Sequence, residues 1–421
     1  MPEGTPVGVG GDGKFWKAFS PFNGIIVNAP ANLDGSDIQK VFNIGIDKWV
    51  IVYRIGGDGQ VVACTLDQDT NTLTFGTEYQ ISNASENMDG CPLDADKFVV
   101  AIANSGNDAK AYVFSASGVA ITLRDSPTIG YNEYTRVACC QLDTDKFAFH
   151  CYTDDTNNRK TGFCTVSTYT ITIVDSSTNV STLYNRDVIV LTKIATDKFI
   201  MVGSSGASLV CTTSSSTFIS GISVDLSTEF GLSATVSVVS ITDNEFYANI
   251  KDNIIHATVS GTTITKGTET AISTETPSLA TMFSDGTNAW AYMGYSTDPY
   301  LESGLYKIES NVPVHKQYMK SDDVTKNAKA GTGDGNWLLI SGVLGNQDIQ
   351  FNRFGMSDNY VGFTESAISK DVEGRIINKG IVGGQTGLIT GAEYSIQKGA
   401  LIFGGKSDKK VSALNATSII I

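Results

Sequence analysis

The chain is short of several residue types, and each shortage excludes something. Of 421 residues only 18% are charged, 9 are Pro, 4 are Trp and 3 are His. No apolar run approaches the roughly 20 residues of a membrane-spanning helix, so no membrane span is expected. The three histidines, His150, His256 and His315, are not at metal-ligand spacing from one another. Basic residues are outnumbered, 30 Lys+Arg against 44 Asp+Glu, giving a net charge of −14. That balance argues against broad nucleic-acid binding, which needs a basic face. There is no basic start followed by an apolar core in MPEGTPVGVGGDGKFW, so no secretory signal is read and synthesis in a cytoplasm is expected. Cysteine is present at Cys64, Cys91, Cys139, Cys140, Cys151, Cys164 and Cys211. The number is odd, no C-x-x-C pair occurs, and most sit in apolar segments. Buried free thiols therefore fit better than a disulfide framework or a structural zinc site.

What is abundant is Gly (42), with Ser, Thr and Val, and an apolar fraction of 41%. This composition is too apolar for disorder and favours strands and turns over helices. The apolar residues are organised by repetition. A short phrase returns along the chain: IDKWVIVY, ADKFVVAI, TDKFAFHC, TDKFIMVG, DNEFYANI, TNAWAYMG and DGNWLLIS. Its aromatic anchors are Trp49, Phe98, Phe147, Phe199, Phe246, Trp290 and Trp337, separated by 49, 49, 52, 47, 44 and 47 residues. A period of this size over seven copies indicates a closed repeat architecture in place of two or three independent domains.

Each unit reads as four short strands joined by tight turns, an antiparallel meander. In the second strand both alternating faces are apolar, as in Phe98, Val99, Val100, Ala101 and Ile102. Burial on both faces arises when four-stranded sheets stack around an axis, the β-propeller arrangement. The expected fold is therefore all-β. A leader of residues 1–35 precedes a seven-bladed β-propeller of four-stranded antiparallel blades over 36–369, and a small C-terminal β-module fills 370–421. Two packed sandwiches are the alternative, but they supply no seven-fold period. The anchors are read as structural packing between blades, with a ligand-binding aromatic cage as the other reading.

The Asp-rich turns, Asp94 with Asp96, Asp143 with Asp145, and single acids at Asp47 and Asp197, could in principle hold calcium. A calcium loop needs several oxygen ligands, and each turn supplies two at most, so turn formation is the expected role and no metal or other cofactor is expected. The G-x-G-x-x-G match at Gly8–Gly13 lacks the preceding strand and following helix of a dinucleotide site, and is read as a flexible leader. There is no G-x-S-x-G elbow. Residues 283–290 and 332–337 resemble degraded Asp-boxes of sialidase-like propellers, but the seven arginines show no grouping along the chain. His150, inside a predicted strand, is read as a satisfied structural residue. For glycan cleavage, the acids to consider are Glu133, Asp154 and Asp155, with nothing in the sequence to choose between them. No residue set supports catalysis, so no enzymatic activity is expected.

The two ends depart from the repeat. Phe15, Trp16, Phe19 and Phe22 are read as capping the first blade, and GIIVNA as a possible closing strand on the last. The C-terminal text GIVGGQTGLITGAEYSI, then GALIFGG and SALNATSIII, resembles a small β-module at the C-termini of bacteriophage tail-fibre and other virion surface proteins. The family phrase, a Gly-Leu-x-Pro-Gly turn before a tyrosine-rich strand, is carried by Gly387, Leu388, Gly391 and Tyr394. Thr390 replaces the usual Pro and Ser395 a frequent second Tyr. The resemblance implies a structural component of a phage virion (fibre, spike or decoration) that attaches to other virion proteins, to host-surface glycan or protein, or to both. It also implies folding in the host cytoplasm and allows a homo-oligomer. A glycan-cleaving tail spike and a cellular propeller scaffold are the alternatives.

Overall fold

A computed structural model describes the chain most fully between residues 33 and 318. Within that span residues 34–36, 46, 68–71, 82–86, 105–107, 132–135, 153–158, 179–188, 227–235, 251–252, 272–278, 285–287 and 295–303 are not described; elsewhere only strand segments are, without their side chains. Two compact units result.

The larger unit, Ile26–Gly333 with Leu338–Phe351, holds a succession of antiparallel sheets. Within this unit they cover residues 37–81, 87–131, 136–178, 189–225, 236–271, 279–318 and 325–333 with 338–351, and are called sheets 1 to 7. Sheets 1 to 6 have four or more strands each, and the described part of sheet 7 has three. The first strand of each sheet packs beside the first strand of the next. The order runs Asp37–Gly45, Asn87–Asp94, Arg136–Asp143, Ile189–Ala195, Val236–Thr242, Leu279–Ser284 and Thr325–Gly333, and the last lies against Asp37–Gly45 again. Face-to-face stacking that returns to its start is a β-propeller, and it needs no helix; none occurs among the described residues.

Burial follows from this stacking. The second strands Lys48–Ile55, Lys97–Ala103 and Lys146–Tyr152 are buried on both faces after their first residue, apart from the last two residues of the first. Alternate residues of each enter different cores. Phe98, Val100 and Ile102 pack with Val50, Val52 and Phe42 of sheet 1, whereas Val99 and Ala101 pack with Phe147 and Phe149 of sheet 3. Trp49, Phe98, Phe147, Phe199 and Phe246 are wholly buried. Phe147, Phe199 and Phe246 each join the core shared with the preceding sheet, as Phe98 does. Each such ring contributes about 2–3 kcal/mol through apolar area removed from water.

Trp290 occupies the opposite face. In sheets 1 to 5 the first hairpin contains a bulge just before the anchor, for example where Asp94 pairs Lys97 but Pro92 pairs Phe98. In sheet 6 the register runs unbroken, Ser284 with Ala289 and Phe283 with Trp290. Without the bulge the pleat is out of phase by one residue, which moves every side chain to the other face. Ala289 and Ala291, not Trp290, therefore fill the core shared with sheet 5. Trp290 carries the Lys307 ammonium 5.5 Å above its ring. Trp337 lies in strand Asn336–Val343.

The Asp-Lys turns join neighbouring sheets as well as reversing the chain. Asp94 and Asp143 accept bonds from Ala95 and Thr144 backbone N–H groups at 2.7 and 2.8 Å. The carbonyls of Asp47, Asp96, Asp145 and Asp197 accept from the third strand of their own sheet. The lysine next to the acid reaches forward: Lys48 lies 3.5 Å from Asp96, and Lys146 2.6 Å from Asp197. The paired Asp and Lys thus serve successive interfaces of one repeat.

A second repeat lies at the rim. The outer strand is kinked or split in sheets 1 to 4, and the residues near the break are Gly76, Asp125, Asp175 and Gly221, 49, 50 and 46 residues apart. Asp125 accepts from the Ile171 N–H at 2.8 Å and Asp175 from the Phe218 N–H at 2.7 Å, each in the following sheet. At Gly76 and Gly221 the next sheet comes closer still. A Cβ would lie 1.9 Å from the Val119 carbonyl oxygen or 2.4 Å from that of Thr262. Glycine gives room for contact where aspartate bridges it.

GIIVNA is placed differently from the closing strand on the last blade: Ile26–Val27 runs parallel to Thr72–Phe75 at the outer edge of sheet 1. The smaller unit groups residues 1–25, 334–337 and 352–421. It holds a four-stranded sheet in the order Phe15–Lys17, Pro6–Val9, Tyr360–Thr364, Ile376–Ile377 and a separate five-stranded sheet from Ile381 to Ile420. Gly8 is thus part of a paired strand, opposite Trp16 and Tyr360, and not of a flexible leader. Tyr394 lies in strand Glu393–Gln397 opposite Phe403 and Val411. Gly387, Leu388 and Gly391 lie outside the described residues.

Candidate functional site

An antiparallel meander puts the first and third turns of every sheet at one end, and the second turn and the link to the next sheet at the other. At the first end the turns are mostly tight, as at Asp94–Lys97, Asp143–Lys146 and Ser167–Thr170. At the second end strands are separated by residues 82–86, 132–135, 153–158, 179–188, 227–235 and 272–278. Long connections on rigid strands are where recognition chemistry concentrates.

The strand ends at this loop end carry charged and polar side chains in two groups. The first spans sheets 1 to 3 at the hub. Asp37 accepts from Arg54 at 3.0 Å and from the Gln39 amide at 2.7 Å. The Asn87 amide approaches Gln39 at 3.5 Å, and Asn87 Oδ1 accepts from the Val137 N–H at 3.0 Å. One pleat deeper, Asp89 pairs with Lys40 at 2.8 Å and accepts from the Cys139 N–H at 2.9 Å. Burial alone would lower the Lys40 pKa; the Asp89 charge and hydrogen bond override it and push the ammonium up to about 12. Beside this group Tyr53 donates a short hydrogen bond to Glu78, and burial followed by that carboxylate raises the phenol pKa.

The second group lies on the face of sheet 3 that meets sheet 4. Arg136, Tyr152 and Arg159 are directly opposed across three strands, and Ala138, His150 and Thr161 form the next row inward. Tyr152, Ile189 and Ala207 share one core, which sets the Ser204–Gly206 turn of sheet 4 opposite this patch. His150 and Thr161 are fully buried and Arg159 is 8% exposed. His150 Nδ1 lies 2.7 Å from the Thr161 hydroxyl, and its ring is 5.3 Å from that of Tyr152. Its Nε2 is buried with no hydrogen-bond partner, so His150 is only half satisfied. Burial, then the Arg159 charge, push its pKa down to about 3, leaving the ring neutral. Arg136 and Arg159 are 23 positions apart in the chain, and only the hairpin pairing brings them into one row.

Six of the anchor aromatics, Trp49, Phe98, Phe147, Phe199, Phe246 and Trp290, lie away from this end, buried inside the sheet stack. Glu133, Asp154 and Asp155 lie outside the described residues. Among the described residues no trio of His, Cys, Asp or Glu is placed to hold a metal ion. All seven cysteines are free and buried. Burial pushes the thiols of Cys64, Cys140, Cys151, Cys164 and Cys211 upward, and a hydrogen bond with Cys91 and then burial do so for Cys139, so none of these six is an activated nucleophile. No described helix is long and apolar enough to cross a membrane.

No protein-family profile and no curated protein matches the sequence. Solved structures do match the fold. The β-propeller domain of Myceliophteria thermophila Cps50 (Swd1) aligns over 76% of this chain and 97% of its own, at 11% identity and a TM-score of 0.51. The WD40 β-propeller domain of Doa1 aligns over 76% and 94%, at 10% identity and a TM-score of 0.49. The Pseudomonas aeruginosa periplasmic gluconolactonase PpgL aligns over 77% and 96%, at 8% identity and a TM-score of 0.45. At such identity the first of these speaks for the fold alone, and what it supports, together with the closed order of sheets, is that this chain is an all-β protein built on a β-propeller.

Proposed function

We propose that this chain is a non-enzymatic structural component of a bacteriophage particle, a fibre, spike or decoration, that recognises the host surface through the loop end of its propeller. The particle role rests on the resemblance of the C-terminal phrase around Gly387, Leu388, Gly391 and Tyr394 to virion surface modules. The recognition role rests on one structural observation: a single ring presents mostly tight turns at one end and long connections, with a polar network and two opposed arginines, at the other. Many copies on one particle would make modest single-site affinity sufficient. Partners are other virion proteins and an exposed host polymer, and the chain reaches its place after folding in the host cytoplasm.

Mass spectrometry of purified particles tests this. Peptides of this chain at a fixed ratio to the capsid protein are expected. Their absence from particles, with the chain retained in infected or uninfected cells, would favour a scaffold like other cellular propellers. Release of oligosaccharide from host glycan by the purified chain would contradict the non-enzymatic part.

A further inference from the structure

We infer that Cys91 and Cys139, where the first strands of sheets 2 and 3 meet, are an oxidation site at which a peroxide closes a disulfide and staples the two sheets together. The strands Asn87–Asp94 and Arg136–Asp143 pack beside each other. Asp89 accepts from the Cys139 N–H at 2.9 Å, which fixes their relative height. Side chains two residues apart in a strand share a face, so Cys91 points the same way as Asp89. It meets Cys139 there, and the two thiols share a hydrogen bond. Both lie in the core between sheets 2 and 3.

The other thiols are placed differently. Cys140, next in the chain, enters the opposite core, the one shared with sheet 4. Cys151 and Cys164 line the same core as Cys139 but belong to its own sheet, so within that core Cys91 is the thiol that comes from sheet 2. A bond from position 91 to position 139 closes a loop of about one repeat and joins two sheets that share no backbone ladder. Access is short for a small molecule: Lys40 and Asp89 pair beside the thiols, and the Lys40 side chain is 32% exposed. The Lys40 charge favours the Cys139 thiolate, but the hydrogen bond with Cys91 and then burial outweigh it and hold the thiol above its ordinary range. Closure is therefore slow, and contact selects the pair in place of thiol acidity.

The step balances with peroxide as the oxidant. One sulfur takes an oxygen from hydrogen peroxide, giving a sulfenic acid and water. The second sulfur attacks the first; the S–S bond forms, the S–O bond breaks, and the departing hydroxide takes the second thiol proton as water. Two thiols lose two electrons and the peroxide gains them. A reducing cytoplasm keeps the pair open and an oxidising medium closes it. None of this depends on the particle reading.

The full chain is prepared in reductant, freed of it, incubated with hydrogen peroxide at neutral pH, then unfolded and alkylated for mass spectrometry. The treated chain is expected to take up about two alkyl groups fewer than the reduced chain. Fragmentation should find Cys91 linked to Cys139, and dithiothreitol should restore both thiols. Closing a loop of this size should raise the melting temperature by a few degrees, an increase lost again on reduction. Cys91→Ser should abolish the link and the shift; if it does not fold, Cys91→Ala or the parent map alone decides. Full alkylation of the treated parent chain, a link between other cysteines, or an oxidised chain that melts no higher than the reduced one overturns the assignment.

Discussion

His150 makes the ring acid-sensitive by an amount that can be worked out. Its pKa is about 3 in the fold and 6.5 as an ordinary histidine. The folded value is the lower one, so between these limits the unfolded chain binds the proton and the folded chain does not. Stability is therefore unaffected above pH 6.5, falls as pH drops through 6.5, and levels off below about 3. At pH 5 the linkage relation gives a loss of about 2 kcal/mol from this residue, within a total of about 5 kcal/mol for the full shift. The fitting replacement is His150→Asn. Sheet 5 carries Asn249 at the corresponding register, opposite Ser237 as His150 is opposite Ala138, so the position accommodates an amide that does not titrate in this range. Urea denaturation of both proteins at pH 7.5 and pH 5, in chloride with no added phosphate, compares the two slopes. The parent chain is expected to lose about 2 kcal/mol more than the variant between these values. His256 and the carboxylates are common to both and cancel. Equal losses would refute the claim that His150 is held neutral by burial and by Arg159.

The other interfaces give predictions of different size. Phe147→Ala opens a hole between sheets 2 and 3 and should cost about 3–5 kcal/mol in urea denaturation, whereas an exposed aromatic would cost little. Lys146→Met removes the contact with Asp197, whose side chain is 59% exposed. It should cost under about 1 kcal/mol, shrinking further in high salt, as an exposed pair does. Gly76→Ala puts a methyl group where the Val119 carbonyl already sits, so a lower melting temperature is expected, and an unchanged one would mean the rim contact is not made. The buried thiols should resist a maleimide reagent in the native chain, and all seven should react once it is unfolded.

The repeat and its two-sided burial were legible because they depend on local pattern. An aromatic at a near-constant interval and an apolar run without alternation have few architectures that satisfy both. Trp290 shows the limit of that reading. Its spacing fits the series, but its face is set by a one-residue bulge, and that depends on the turn before it. The rim contacts at Gly76, Asp125, Asp175 and Gly221 do leave a sequence signal, since their spacing matches that of the anchors. The signal is hard to read because two residue types share the position: glycine gives the neighbour room and aspartate gives it a hydrogen bond. The Asp-Lys turns were legible as turns, but the forward reach of Lys48 and Lys146 was not, because the partner lies a full repeat away. Arg136 and Arg159 belong to the same class. Pairing across a hairpin decides which side chains share a face, and the separation of 23 residues does not.

The recognition claim is tested most directly by competition for the host surface. Purified full-length chain is added to host cells before the particles, and adsorption is counted. The account predicts that the parent chain blocks adsorption and that Arg136→Gln at the loop end blocks it poorly. Asp143→Asn at the tight-turn end should block as the parent does. Blocking lost through Asp143→Asn and kept by Arg136→Gln would contradict the account, as would a folded parent chain that does not block at all.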